Sequence, residues 1–143
     1  MPQQQNTKAL LITLGDNPQR AIFTINHYRP EYLLFFGTEQ VRSLIEQVIQ
    51  PGIEQMPKRW DCIVTPDAAS LPECYRVLAK QLHELLRTWQ VQAGELVVDY
   101  TAGTQSMVMA MTLASLEHCT RFAFLKDAES PTLIESNPWD YKA

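Results

Sequence analysis

Cysteine, basic charge and long apolar runs are all scarce in this chain of 143 residues. No apolar run approaches the roughly 20 residues that a membrane-spanning helix requires. The amino terminus also lacks a basic segment followed by a hydrophobic one, so no secretion signal is predicted. The three cysteines are odd in number and have no CxxC spacing, which indicates reduced structural thiols. We therefore expect a cytoplasmic protein without a membrane segment.

The charge balance is acidic, with 12 lysine and arginine residues against 16 aspartate and glutamate residues and a net charge of −4. A protein that binds long nucleic acid usually carries a stripe of clustered lysine and arginine residues, and no such stripe is visible in the sequence. An anionic ligand must then be held by local dipoles and a few side chains. This favours a small phosphorylated molecule over a polymer.

Segments typical of strands and of helices alternate along the chain. Apolar runs predict five strands and a short edge strand in the tail, at 8–14, 32–36, 61–65, 96–99, 121–125 and 132–134. Apolar residues at helical spacing lie between them, and the longest such segment covers 75–89. The alternation predicts a single α/β domain over 1–143, with a Rossmann-like, mostly parallel sheet and helices on both faces. Its core covers 8–127, and 128–143 form a tail.

The most informative segment is the string Asp99-Tyr100-Thr101-Ala102-Gly103-Thr104-Gln105-Ser106, between the fourth strand and an apolar helix. Its small residues allow a tight turn, and the helix that follows directs its positive dipole end at that turn. Exposed backbone N–H groups in this arrangement form a cradle for an anion, most often phosphate. Asp99 has two interpretations at this stage, a carboxylate of the site or a hydrogen-bond acceptor within the turn.

The helix predicted over 106–116 has almost no polar side. A helix that is apolar all round must be covered on both sides, and the sheet of so small a domain covers only one of them. A second copy of the chain is the simplest cover for the other side, which predicts a two-fold homodimer. Burial under the carboxy-terminal tail and docking of a different protein are the alternatives.

The string from Asp99 to Met107 resembles the signature of the CARF domain, the CRISPR-associated Rossmann fold. In that family a strand is followed by Asp-x-Thr-Gly-Gly-Thr-Lys-x-Met and a helix. The segments 13–18 and 35–40 resemble the family's loops after the first and second strands, and the whole resemblance covers roughly 8–127. It departs from the signature twice, because Ala102 stands in place of the first glycine and Gln105 in place of the lysine.

The resemblance implies a homodimer that binds a cyclic oligoadenylate, the second messenger of type III CRISPR antiviral systems, across its two-fold axis. It implies ligand-binding residues in three loops, namely Gly15, Asp16, Asn17 and Pro18, then Thr38 and Gln40, then Thr101, Gly103, Thr104 and Gln105. Some CARF domains also cleave the ring without metal, by attack of a ribose 2′-hydroxyl on the neighbouring phosphate. Thr101, Thr104 and Gln105 are the candidates for that role here. Because Gln105 lacks the charge of lysine, binding as a sensor or sponge is favoured over cleavage by a ring nuclease.

No metal and no cofactor is predicted. No GxGxxG follows the first strand and the sequence has no GxxxxGK[ST], so a dinucleotide site and a P-loop are both disfavoured. The Thr-Ala-Gly-Thr turn is also similar to a flavodoxin phosphate loop, but that loop belongs after the first strand.

Ala102 adds one condition, since an alanine in the left-handed region costs about 1–2 kcal/mol. We therefore expect a negative φ at Ala102.

Overall fold

The computed structural model describes residues 7–15, 17–126 and 130–140. The strands are β1 (Ala9–Thr13), β2 (Tyr32–Gly37), β3 (Arg59–Val64), β4 (Leu96–Asp99), β5 (Arg121–Leu125) and β6 (Leu133–Ser136). The helices are α1 (Pro18–Tyr28), α2 (Val41–Leu44, Ile45–Ile49 and Gln50–Gly52, of which the middle part is π-helical), α3 (Leu71–Thr88) and α4 (Gln105–Ser115). A short 3₁₀ turn, Ala93–Glu95, leads into β4.

The six strands form one sheet in the order β3-β2-β1-β4-β5-β6. The first five strands are parallel, and β6 runs antiparallel to β5. The strand order reverses between β1 and β4, so the loops that follow these two neighbours turn to opposite faces and leave a crevice between them. The predicted α/β architecture is confirmed, and the loop after β4 lies beside the loop after β1.

Each face of the sheet has its own hydrophobic layer. Leu10 and Ile12 of β1 face α1 and α2, whereas Leu11 faces α3 and α4. Successive side chains of a strand point to opposite faces, so alternate residues of the unbroken apolar run of β1 pack into the two layers. The central strands are therefore covered on both sides, and only their ends are available to a ligand.

The longest described helix, α3, has clear local determinants. The hydroxyl of Ser70 accepts a hydrogen bond from the backbone N–H of Glu73 at 3.2 Å and caps the helix. Leu78, Leu82 and Leu86 follow at intervals of four residues and are buried against the sheet. The helix begins at Leu71, four residues before the first apolar marker in the sequence, because its cap is Ser70. No described helix is long and apolar enough to cross a membrane.

Four strands differ in their bounds from the sequence prediction: β1 is one residue shorter at each end, β2 is one residue longer, and β3 and β6 differ most. The third strand begins at Arg59 instead of residue 61, because Arg59 and Trp60 pair with the first two residues of β2. The last strand covers Leu133–Ser136 instead of 132–134, because its pairing with β5 continues through Ser136. Both extensions contain polar or half-buried residues, and strand pairing rather than an apolar pattern determines their limits.

A buried arginine joins β5 to β6. The side chain of Arg121 is 8% exposed, and its Nε donates to Oε1 of Glu135 at 2.7 Å. The hydroxyl of Tyr28 donates to the other carboxylate oxygen at 2.8 Å. Burial raises the pKa of Glu135, but the hydrogen bonds from Arg121 and Tyr28 outweigh it and hold the pKa below its ordinary value. The carboxylate thus stabilises the folded state in its ionised form.

We expect Glu135→Gln to lower the free energy of unfolding at pH 7 by about 1–3 kcal/mol, because it removes the carboxylate that neutralises the buried guanidinium of Arg121. The folded-state pKa is depressed, so this stability is present above the unfolded-state pKa of about 4.3 and is lost as the pH falls through the folded-state value. Urea denaturation at pH 7 and pH 3 measures both effects.

The matched control is Glu54→Gln, because Glu54 pairs with Arg29 at 3.1 Å and both side chains are exposed. That substitution should cost about 0–1 kcal/mol. Equal stabilities of wild type and Glu135→Gln at pH 7 would contradict the assigned role.

Candidate functional site

The turn after β4 is organised by the buried carboxylate of Asp99, which is 2% exposed. Its Oδ1 accepts hydrogen bonds from the backbone N–H of Thr101 at 2.8 Å and from the Thr101 hydroxyl at 2.5 Å. Burial raises the pKa of Asp99, while the bonds from Thr101 and the nearby charge of Arg20 oppose that rise. The structure supports the second interpretation of Asp99, that of an acceptor within the turn.

The loops after β1 and β4 meet through their backbones. A Cβ atom placed on Gly15 would lie 2.9 Å from the backbone nitrogen of Gly103, closer than real Cβ atoms come. The hydroxyl of Thr13 donates to the carbonyl of Ala102. Gly103 has a φ of +102°, which disfavours any side chain, whereas Ala102 is not among the residues with positive φ. The expected absence of a positive φ at Ala102 is therefore observed. The loops after β1 and β4 are in direct contact and together form the candidate site.

Backbone N–H groups at the amino end of α4 are free hydrogen-bond donors beside these two loops. The hydroxyl of Thr104 caps the helix by accepting from the N–H of Met107 at 3.1 Å. In the described part of the chain, the N–H groups of Gly103, Thr104, Gln105 and Ser106 donate to no protein acceptor. Unpaired N–H groups and the positive end of the helix dipole together attract an anion. The free donors have the arrangement that the sequence analysis expects of a cradle, and anion binding by them stays a prediction.

Two hydroxyls of the same segment are directed toward the loop between β3 and α3. The Thr104 hydroxyl donates to the carbonyl of Ala68 at 2.5 Å, and the Ser106 hydroxyl donates to that of Ala69 at 2.9 Å. Ala68 and Ala69 are not among the residues predicted for the site, and no sequence signal marks them, because they take part through backbone carbonyls. At the cradle, Thr104 therefore offers its backbone rather than its hydroxyl.

The hydroxyl of Thr101 is also used within the protein. Besides donating to Asp99, it accepts a hydrogen bond from the backbone N–H of Leu125 at 2.9 Å. Gln105 is exposed and its side chain makes no hydrogen bond to the described residues. Of the three candidates for ring cleavage, only Gln105 has an uncommitted side chain.

The remaining predicted ligand residues that the structure describes lie at the same edge of the sheet. Thr38 and Gln40 precede α2, and the Thr38 hydroxyl donates to the side-chain oxygen of Gln40 at 2.6 Å. Asn17 is exposed at the start of α1, and Pro18 is the first residue of that helix. Asp16 lies outside the described residues. No hydrogen bond among the described residues joins the Thr38–Gln40 pair to the cradle.

The outer surface of α4 is mainly apolar. Met109 and Leu113 of α4 are 54% and 46% exposed, and Tyr75 of α3 is exposed near Leu113. A groove of about 370 Å³ between the two helices includes Leu113, His83 and Tyr75 in its lining. The inner side of α4 is buried against the sheet, so its outer side is the surface that a second molecule would cover.

No protein-family model and no curated protein matches this chain. Solved structures do match it. Csm6 from Enterococcus italicus, bound to cyclic hexa-2′-fluoro-hexa-dAMP, aligns with a TM-score of 0.67 and 16% identity over 88% of this chain and 35% of its own. Can2 from Sulfobacillus thermosulfidooxidans, in complex with cyclic tetra-adenylate, aligns with a TM-score of 0.63 and 12% identity over 90% of this chain and 35% of its own.

A type III CRISPR defence DNA nuclease activated by cyclic oligoadenylate aligns with a TM-score of 0.64 and 20% identity, over 95% of this chain and 22% of its own. The chain thus spans about a third or less of the length of these proteins. At such identities the likeness concerns the fold, and it agrees with the resemblance seen in the sequence. The chain has a CARF-like fold.

Proposed function

We propose that this domain binds a cyclic oligoadenylate at a homodimer interface in type III CRISPR signalling, as a sensor or sponge. The observation that carries the proposal is the set of unpaired N–H groups from Gly103 to Ser106 at the switch point of the sheet. Ligands of open α/β sheets bind at this edge, and helix amino ends there favour phosphate. Two proteins that contain a similar fold have been solved in complex with cyclic oligoadenylates, and a third is a DNA nuclease activated by cyclic oligoadenylate.

The homodimer in this proposal is supported by the outer side of α4. Met109 and Leu113 leave an apolar surface that the described part of the chain does not cover. A two-fold axis along this helix would bring two copies of the same cradle to one ligand. A symmetric ring of phosphates suits such a pair, because each half of the ring would meet the same donors.

Ring cleavage is the alternative function. In-line attack by a ribose hydroxyl needs groups that position the phosphate and stabilise its developing charge. The hydroxyls of Thr101 and Thr104 are hydrogen-bonded within the protein, and position 105 carries glutamine, which has no charge. These contacts favour binding without rapid cleavage.

Calorimetric titration with cyclic tri-, tetra- and hexa-adenylate tests the proposal. We expect binding heat with at least one ring, and chromatography of the ring recovered after hours in EDTA should show it intact. Linear products would support the ring nuclease instead. Absence of heat with all three rings would refute the binding function.

A pair of glycine substitutions tests the cradle itself. We expect Gly103→Ala to cost about 1–3 kcal/mol of stability and to weaken ring binding, because alanine is strained at a φ of +102° and shifts the free N–H groups. Gly94→Ala is the control, since a Cβ atom there meets nothing within 4 Å. Urea denaturation and calorimetry measure the two effects. Equal ring affinity of both variants would exclude this turn as the binding element.

A further inference from the structure

We propose that Lys126 provides the side-chain cation that contacts the bound phosphate, an inference that rests on the proposed function. The loop from Asp99 to Ser106 contains no lysine or arginine. Its N–H groups and the helix dipole supply partial charge only, equivalent to roughly half an elementary charge per helix end. A ligand with several phosphates would therefore gain from a full positive charge beside the cradle.

Three cations follow the carboxyl ends of the described strands at this edge, and two of them are unsuitable. Arg20 donates through Nη2 to the carbonyl of Leu125 at 2.8 Å, and its Nε is enclosed by protein. The charge of Arg42 acts on Cys62 of β3, where it opposes the rise in thiol pKa that burial causes. Because β3 is the edge strand on the far side of β2, Arg42 lies away from the switch point. Lys126 is the third cation.

The backbone that carries Lys126 is fixed to the cradle loop. The N–H of Leu125 donates to the Thr101 hydroxyl at 2.9 Å, while its carbonyl accepts from Arg20. The N–H of Lys126 itself donates to the carbonyl of Thr132 at 2.9 Å, which closes the β5–β6 connection. Thr101 belongs to the same turn as Gly103, so the backbone immediately before Lys126 is held to that turn.

The ammonium group of Lys126 is uncommitted. The side chain is exposed, and it takes part in no ion pair or side-chain hydrogen bond in the described part of the chain. The ion pairs described there use Arg29, Lys58, Arg76 and Arg121. A lysine on a flexible four-carbon stem acts as a mobile point charge, which suits a phosphate whose exact orientation the N–H groups already set.

The test compares Lys126→Gln with Lys80→Gln, which removes an exposed cation from the middle of α3. Calorimetry uses cyclic tri-, tetra- and hexa-adenylate at several salt concentrations. Lys126→Gln should raise Kd on the order of tenfold and reduce the salt slope of log K by roughly 0.7 for each phosphate that the lysine neutralises. Lys80→Gln should change neither quantity, and Lys126→Arg should keep most of the affinity and the salt slope.

The outcomes separate this inference from the proposed function. If wild type binds a ring and Lys126→Gln binds it with unchanged Kd and salt slope, the role of Lys126 is wrong while the binding function stands. If Lys80→Gln weakens binding equally, the effect is one of overall charge and the specific contact is refuted. If wild type binds none of the rings, both the proposed function and this inference fail.

Discussion

The close approach of Gly15 to Gly103 is the contact on which the candidate site depends. It brings the loops after β1 and β4 together at the point where the strand order reverses, with no room for a side chain between them. The positive φ of Gly103 then turns the chain so that α4 starts with its N–H groups unpaired. Separation of these two backbones would leave the helix amino end without a defined direction.

A network of buried hydrogen bonds holds the turn after β4 in the position that this contact requires. Asp99 holds Thr101, Thr101 accepts from Leu125, and Leu125 in turn accepts from Arg20. These bonds join β4, β5 and α1 at the sheet edge, and Nε of Arg20 is the one buried atom of the Arg20 side chain that has no partner among the described residues. A net charge of −4 is compatible with the proposed anion site, because backbone dipoles act locally.

Much of this arrangement could be predicted from the sequence, because it follows from local patterns. The apolar runs around Leu10 and Val97 indicate buried parallel strands, and the small residues from Thr101 to Thr104 indicate a tight turn before a helix. The alternation of elements then places the turns at one edge of the sheet. The sign of φ at Ala102 follows from steric hindrance in the left-handed region.

The partners of the hydroxyls were not predictable. Thr104 and Ser106 donate to the carbonyls of Ala68 and Ala69, which lie more than thirty positions earlier and belong to residues without functional side chains. The link between Thr101 and Leu125 is likewise a tertiary contact through a backbone group. Such bonds depend on how the loops meet in the folded protein. Because the partner is a backbone group, the type of residue that carries it does not reveal the bond.

In the proposed complex, N–H groups at the amino end of α4 hold the ligand's phosphates. The nuclear magnetic resonance spectrum of ¹⁵N-labelled protein, recorded during titration with the cyclic oligoadenylates, tests this contact. We expect the amide signals of Gly103, Thr104 and Gln105 to shift on binding, while that of Gly94, just before the start of β4, stays unchanged. The opposite edge of the sheet has a pocket lined by Lys8 and Gln92. Binding with shifts confined to that pocket would contradict the proposed contact.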